Sequence, residues 1–548
     1  MRISTPLVKL WPALLAGGLA LGALTLLWRV RDTPLALGAF VRFDALSAFF
    51  LFALFGGVTL ALVARPTSFS PRWLCPAAAA GALALAYSTT LTLAVACAYL
   101  ALALLTLDWQ ALAMHEEDRP TTPANRAMHA LRRAAPSLLA AVCLLLGCGA
   151  LARRGAAHYD DRSAGAALDS FAFWFVLLAA SIACSPLFQA TKDEGRWTKD
   201  GGPPPTEHAR PRTLSLPHLF FGETFFAQMV LFRFAWLYPL ARLYSLGPWN
   251  SGWSFATLLL GGGLALWCAC SALVRVDVVA RNARIQSIYL ALALAGLGLS
   301  NSAGVAAACY GVLTYLVLSV GHGGWVLGSS GNEDPSQPLI PSPQSPTPNL
   351  LPWLLSSAIP LTAPFVAAWM LIGASVAGGV ALLAGMAWLV ALLHGLVVAL
   401  WNGAEPAEAR RPLLVAGATS VVLGVGAPPI VRLLILPAVA QLQGGLMPFG
   451  DLNIWPWVGV AASDSAHTQV TTLPSIAIVL LMLVLTALVY IVARLREIRR
   501  AEQPQPVVQP PPDVPASTLL GYLRDEVPWL GGLLGANPGS QRQPGDGE

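Results

Sequence analysis

About fourteen stretches of this 548-residue chain are long and apolar enough to cross a bilayer, and almost no ionisable side chain lies inside any of them. In hydrocarbon a segment must satisfy its own backbone hydrogen bonds, so such stretches are helices. About 20 apolar residues cross a hydrocarbon core of about 30 Å. The expected fold is all-α, a polytopic membrane helix bundle of about 14 transmembrane helices. The candidate spans are roughly 8–28, 45–64, 73–88, 90–107, 134–152, 168–190, 217–241, 253–274, 285–300, 303–328, 350–372, 376–400, 412–434 and 474–493. The first follows Arg2 and Lys9 and is too long for the apolar part of a signal peptide, so it reads as a retained span.

Charge sets the orientation. Charged residues are only 11% of the chain, against about 25% in soluble domains. The net charge of +5 sits in flanking loops, where it reports topology rather than nucleic-acid binding. With the N-terminus inside, most basic residues fall on the cytoplasmic side, among them Arg65, Arg72, Arg281, Arg284, Arg410, Arg411, Arg499 and Arg500. The expectation is an inner (cytoplasmic) membrane protein, multi-pass, with both termini cytoplasmic.

Polar segments divide the chain. The expected organisation is N-terminal spans over 1–70, a first helix half over 71–242 and a second over 243–435, carrying a linker at 329–349. A C-terminal loop and last span follow over 436–500, then a Pro-rich cytoplasmic tail over 501–548. The loop 191–216 mixes charges and prolines, and the tail begins QPQPVVQPPP, a polyproline II signature. Either could meet a peripheral cytoplasmic partner. Residues 514–534 read equally well as a short amphipathic helix on the membrane or as a disordered tail.

The chemistry of cofactors and hydrolysis is missing. The eight cysteines lie in or beside apolar segments with no C-x-x-C spacing, which suits small packing residues. Cys268 and Cys270 are two apart and so face different directions on a helix. No metal, haem or iron–sulfur site is expected, and no cofactor. Nucleotide-binding, zinc-protease and hydrolase motifs do not occur. The chain has no recognisable catalytic site, so any enzymatic role would be as a membrane subunit of an oxidoreductase complex. The glycines at 261–263 and 321–324 lie in apolar helices, where glycine serves close helix contact.

Four local sequences, in order, carry a resemblance. The first is VRFDALS at 41–47. The second is an apolar helix reaching Ser185-Pro186-Leu187-Phe188-Gln189, followed by LFFGETFFAQMVLFRFAWLYPL. The third is VDVVARNA at 276–283, and the fourth is AIPLTAPF at 358–365, then LVVALWNG and LLVAGATSVVLGVGAPPIV. This order resembles the antiporter-like subunits of respiratory complex I (the NADH-quinone oxidoreductase chain 5/L-like type), membrane-bound hydrogenases and Mrp-type cation/proton antiporters. The match covers roughly residues 35–435. It implies inverted five-helix repeats with discontinuous helices, broken near Pro186 and near Pro360 with Pro364. It implies partners too: other membrane subunits of a hetero-oligomeric complex, within the lipid bilayer.

The same resemblance implies a line of buried Lys, Glu and His residues that carries protons. The matching positions here are Leu100, Ser181, Phe221, Ser319 and Ala368, and all five are neutral. Intramembrane charges normally mark relays, so the resemblance implies the fold without the usual path.

The polar residues that remain are few. Glu223 and Arg233 lie in one span, ten residues apart, about 15 Å along a helix, too far to pair. They read as a rebuilt ion path or partner contact, or else as a helix-end Glu and a snorkelling Arg. His218 heads the same span and reads as interfacial. Asp277 sits among Arg275, Arg281 and Arg284 and suits an ion pair at the membrane edge. Asp44 suits an N-cap of the second span. His322 and His394 lie in or near spans, and imidazole titrates near neutral pH. The leading expectation is a divergent antiporter-like subunit of an ion-translocating or redox-linked complex, with weak or rebuilt conduction. The alternatives are a transporter component for a neutral or inorganic-carbon-type solute, and a pure assembly scaffold.

Overall fold

The computed structural model describes residues 6–64, 74–116, 123–159, 170–186, 231–274, 278–328, 357–359, 361–399, 410–442, 446, 452–455, 459–462, 471–472, 484 and 491. The described elements belong to one compact unit, Met1–Ala190 with Pro211–Ala493. They are overwhelmingly helical. In chain order come α1 (Pro6–Arg29), α2 (Ala45–Ala64), α3 (Leu74–Ser88), α4 (Thr92–Glu116), α5 (Pro123–Arg153) and α6 (Ser170–Cys184). After a 3₁₀ turn at Leu231–Trp236 follow α7 (Leu237–Arg242), α8 (Ser251–Val274), α9 (Val278–Gly298) and α10 (Ser302–Gly328). The last are α11 (Ala363–Ala377), α12 (Ala381–Ala399), α13 (Arg410–Val425), α14 (Ala427–Ile430) and α15 (Leu436–Ala440). A π-helical turn, Val431–Ile435, joins the final two.

Six described helices are long and apolar enough to cross a membrane. A seventh span results if Arg411–Val425 and Ala427–Ala440, bent by 79°, count as one. Four shorter apolar helices stand beside them: Pro76–Ser88, Thr92–Leu107, Ser170–Cys184 and Ala363–Val376. The protein is a multi-pass membrane protein, with six or seven such spans among the described residues against the fourteen expected over the whole chain. Of the expected span 474–493 only Val484 and Ile491 are described, and the starts of those at 217 and 350 lie outside the described residues, as does the tail.

Burial grades the helices. The window Ser302–Gly321 of α10 is 100% buried, whereas Leu10–Arg29 of α1 is 33% buried. Thus α10 is the axis of the bundle and α1 lies at its rim, with Trp11, Leu14, Leu21 and Trp28 facing outward. Close helix approach explains part of the small-residue content. A Cβ at Gly261 would strike the backbone of Ala295, so α8 and α9 touch main chain to main chain there. Gly262 meets Met386 and Gly321 meets Ala416, as expected of the glycine clusters, while Gly263 faces open space.

Strands are minor. β1 (Leu35–Leu37) and β2 (Val41–Phe43) form an antiparallel hairpin that turns at Gly38. This hairpin touches the α3–α4 connection through a Val41–Thr89 bridge. Three short strands, β3 (Leu452–Trp455), β4 (Gly459–Ala462) and β5 (Thr471–Thr472), pair antiparallel in sequence order. The sequence reading had no strands at either place.

Helices break where the prolines led us to expect. α6 ends at Cys184, two residues before Pro186, because the residue before a proline is pushed out of the helical region. α11 starts at Ala363 with Thr362 as N-cap and Pro364 in its first turn. Residues 357–359 and 361–362 are not helical. Leu361 has φ 78°, the left-handed region that costs a branched side chain about 1–3 kcal/mol.

Neighbouring helices hold that break. Thr362 Oγ1 donates to Ser357 O at 2.7 Å and to Ile359 O at 2.6 Å. Thr314 Oγ1 on α10 donates to Ala363 O at 3.2 Å, and Ala363 N donates to Ser420 Oγ on α13 at 3.2 Å. A Cβ at Gly424 would collide with the Leu361 carbonyl. Gly→Ala within a helix ordinarily stabilises by about 1 kcal/mol. Here Gly424→Ala is expected to destabilise instead, by about 2 kcal/mol or more, read as a lower unfolding temperature in detergent. A neutral or stabilised variant would show that the break does not pack against α13.

Candidate functional site

Three of the polar centres in the described interior bear charged or titratable groups and stand at irregular or crossing points of the helices. The first surrounds Arg233, which is fully buried on the 3₁₀ turn Leu231–Trp236. Its Nε donates to Ala183 O at 2.9 Å, and its Nη2 donates to Ser185 O at 2.8 Å. Nη2 also donates to Ser287 Oγ on α9 at 3.0 Å. Ala183 and Ser185 lie at the broken C-terminal end of α6, where unsatisfied carbonyls and the negative end of the helix dipole favour a cation. Tyr315 on α10 also faces Arg233 and Ser319. One guanidinium therefore ties α6, α9 and α10 together. It does not snorkel to an interface, which was one of the two sequence readings.

The second centre joins the head of α2 to the end of α7. Arg242 and Asp44 form a buried two-pronged ion pair, Nη1 to Oδ2 at 2.5 Å and Nη2 to Oδ1 at 2.7 Å. Arg242 also donates to Ser47 Oγ at 2.7 Å and to Tyr238 Oη at 2.9 Å. Tyr238 Oη in turn donates to Tyr87 O at 3.1 Å. Asp44 caps α2 as expected, accepting from the Ser47 amide at 2.8 Å. Burial would raise the Asp44 carboxyl. The Arg242 guanidinium and the Ser47 hydrogen bonds outweigh it and hold the group below the usual carboxylate range. Arg242 was not singled out from the sequence. The available signal was a second arginine nine residues after Arg233 in an otherwise apolar segment.

The third centre is His394 of α12 against Tyr289 of α9, both fully buried. The tyrosine hydroxyl lies 2.8 Å from Nδ1, with the rings edge to face.

The neutral positions of the resemblance can now be placed. Leu100 is half-buried on α4, while its neighbour Tyr99 turns inward and its hydroxyl donates to Ala235 O. Ser181 is half-buried on α6 and donates to Leu177 O at 2.8 Å. Ser319 and Ala368 are buried on α10 and α11. Ser181 and Ser319 thus sit on two of the helices that Arg233 connects or faces. Glu223, His218, Phe221 and Asp277 lie outside the described residues. Among the described residues no group of three or more His, Cys, Asp or Glu could hold a metal ion. Cys268 is buried and Cys270 exposed, as their spacing implied.

No family profile and no curated protein matches the sequence. Solved structures do. A chain of the membrane-bound sulfane sulfur reductase, an archaeal respiratory membrane complex, superposes with a TM-score of 0.58 at 15% identity, over 96% of this chain and 91% of that one. A chain of the Mrp complex from Dietzia sp. DQ12-45-1b gives 0.56 at 14% identity, over 80% and 93%. A chain of respiratory complex I from Thermus thermophilus with bound NADH gives 0.53 at 15% identity, over 80% and 98%. These likenesses show the fold. It is the fold that the four ordered motifs led us to expect.

Proposed function

We propose that this chain is a membrane subunit of a larger ion-translocating or redox-linked complex, in which a fixed positive charge, Arg233, ties together helices whose matched relay positions are neutral. The observation that carries the reading is Arg233. It is fully buried, held by two helix-end carbonyls and a serine, and it connects the helices bearing Ser181 and Ser319. A guanidinium does not release its proton at physiological pH, so it can orient helices and shape the field without passing a proton on. Ser181, Ser319, Ala368 and Leu100 offer no replacement. Other membrane subunits as partners are supported by the likeness to chains of three multi-subunit assemblies.

The test is proton flux. Reconstituted alone in vesicles under an imposed pH gradient, the chain is expected to dissipate the gradient no faster than protein-free vesicles do. An unsolvated charge in the membrane interior costs several kcal/mol, and each 1.36 kcal/mol slows transfer about tenfold. Rapid flux that survives Arg233→Gln would place a rebuilt route elsewhere, and rapid flux abolished by that change would make Arg233 part of a conducting path. Either result overturns the proposal.

A further inference from the structure

We propose that His158 is a pH-sensitive latch, which fastens the β1–β2 hairpin to the α3–α4 and α5–α6 connections more tightly as that end of the bundle acidifies. The three connections meet where Arg29, Arg31, Arg153 and Arg154 are exposed. Their backbones lie side by side. Val41 bridges Thr89, and Leu91 bridges His158, both antiparallel. Thr90 N donates to Phe40 O at 3.1 Å, and Tyr159 N donates to Thr90 O at 3.0 Å. Thr92 N donates to Ala157 O at 3.0 Å. Thr90 therefore stands between the hairpin on one side and the α5–α6 connection on the other.

The His158 side chain closes this junction. Its Nδ1 lies 3.0 Å from Thr90 Oγ1. Its ring stacks on Phe40, with centroids 6.3 Å and planes 7° apart. Thr89 Oγ1 donates to Phe40 O at 3.2 Å. The two lone pairs of that carbonyl are then taken by the Thr90 amide and the Thr89 hydroxyl. The Thr90 hydroxyl keeps only a long contact to it, 3.5 Å, and so is available to the imidazole. With a neutral ring the Thr90–His158 bond joins two uncharged groups. With an imidazolium, Nδ1–H donates and Thr90 Oγ1 accepts, and a charge-assisted bond is roughly twice as strong as a neutral one. The step is a simple protonation: hydronium passes its proton to the bare ring nitrogen and leaves water. Imidazole is the side chain whose ordinary titration falls near neutrality, so acidification tightens the latch.

The charged groups on the elements packed here are Arg42 of β2 and Arg153 and Arg154 at the end of α5. The 89–91 connection brings none. Tyr159 turns its hydroxyl inward, 4.0 Å from Cys148 Sγ. Asp160 and Asp161 lie outside the described residues. Such charges set the pH at which the latch closes, while the Nδ1–Oγ1 bond sets its direction. β2 ends at Phe43, immediately before Asp44. The latch and the Asp44–Arg242 pair thus hold opposite ends of one short strand. No residue of the Arg233 centre takes part, so the latch and the proposed function can fail separately.

Amide hydrogen exchange tests the latch in the full chain held in lipid nanodiscs, with each rate referred to the intrinsic rate at the same pH. The Thr90 and Tyr159 amides, which bond across the junction, report it. Their protection is expected to rise roughly fivefold from about pH 8 to about pH 5, the difference between a neutral and a charge-assisted bond. Their protection should not change with pH in His158→Gln, which carries no titratable ring, or in Thr90→Val, which removes the hydroxyl and keeps the backbone. Amides within α10, remote in sequence from the latch, should show the same protection at both pH values. A wild type with pH-independent protection at Thr90 and Tyr159 overturns the latch. So does a rise that persists in either variant, or one that appears equally in α10.

Discussion

Arg233→Met is expected to lower the stability of the detergent-solubilised chain by about 3–5 kcal/mol. Methionine fills much of the space but donates nothing. Ala183 O, Ser185 O and the Ser287 hydroxyl all lose a charged donor. Each buried acceptor left without a partner costs about 1–3 kcal/mol. The two carbonyls belong to a helix end, and Pro186 beside them has no amide hydrogen to donate. Arg233→Lys should recover only part of the loss, since an ammonium is a compact charge on a flexible stem and lacks the planar fork. Thermal unfolding in one detergent, compared across the three proteins, checks the order wild type, Lys, Met. Equal stability for all three would mean that the arginine does not hold the broken helix.

Asp44→Ala should cost a similar amount, about 3–5 kcal/mol, because it strands Arg242 as a buried, unpaired charge. The double variant Asp44→Ala with Arg242→Leu is expected to be more stable than Asp44→Ala alone, since no charge is left behind. A double variant worse than the single would show that the arginine's contacts to Ser47 and Tyr238 matter more than its carboxylate. The pH dependence has a definite sign. The Asp44 carboxyl is lowered in the folded chain, so the pair's contribution is complete above the ordinary carboxylate range. It is lost only as pH falls through the lowered value. The wild type should therefore lose stability relative to the double variant in acid, and not at neutral pH.

Much of the architecture was legible because its causes are local. Runs of apolar residues dictate helices wherever water is absent. Pro186 and Pro364 mark helix ends because proline restricts its neighbours wherever it stands. Asp44 could be read as a cap from its place before a helix. The order of four short motifs led to the fold even though identity to the similar solved structures is only 14–15%. The hairpin at 35–43 and the short strands after 452 were missed, since three- and four-residue strands carry too little alternation to register.

The candidate site was harder to read, and the failures share one cause. Arg233 was left between a snorkelling residue and part of an ion path, because an arginine's meaning depends on what surrounds its guanidinium. Its partners lie 48–54 positions away in the chain. Arg242 meets Asp44 across 198 positions, and His394 meets Tyr289 across 105. The amino-acid sequence by itself determined that this chain is a helical membrane bundle, which follows from which side chains occur in which segment. Only the tertiary structure decided where the remaining charges are solvated. The free energy of a charge in a membrane is set by the carbonyls, hydroxyls and counter-charges that distant segments bring to it.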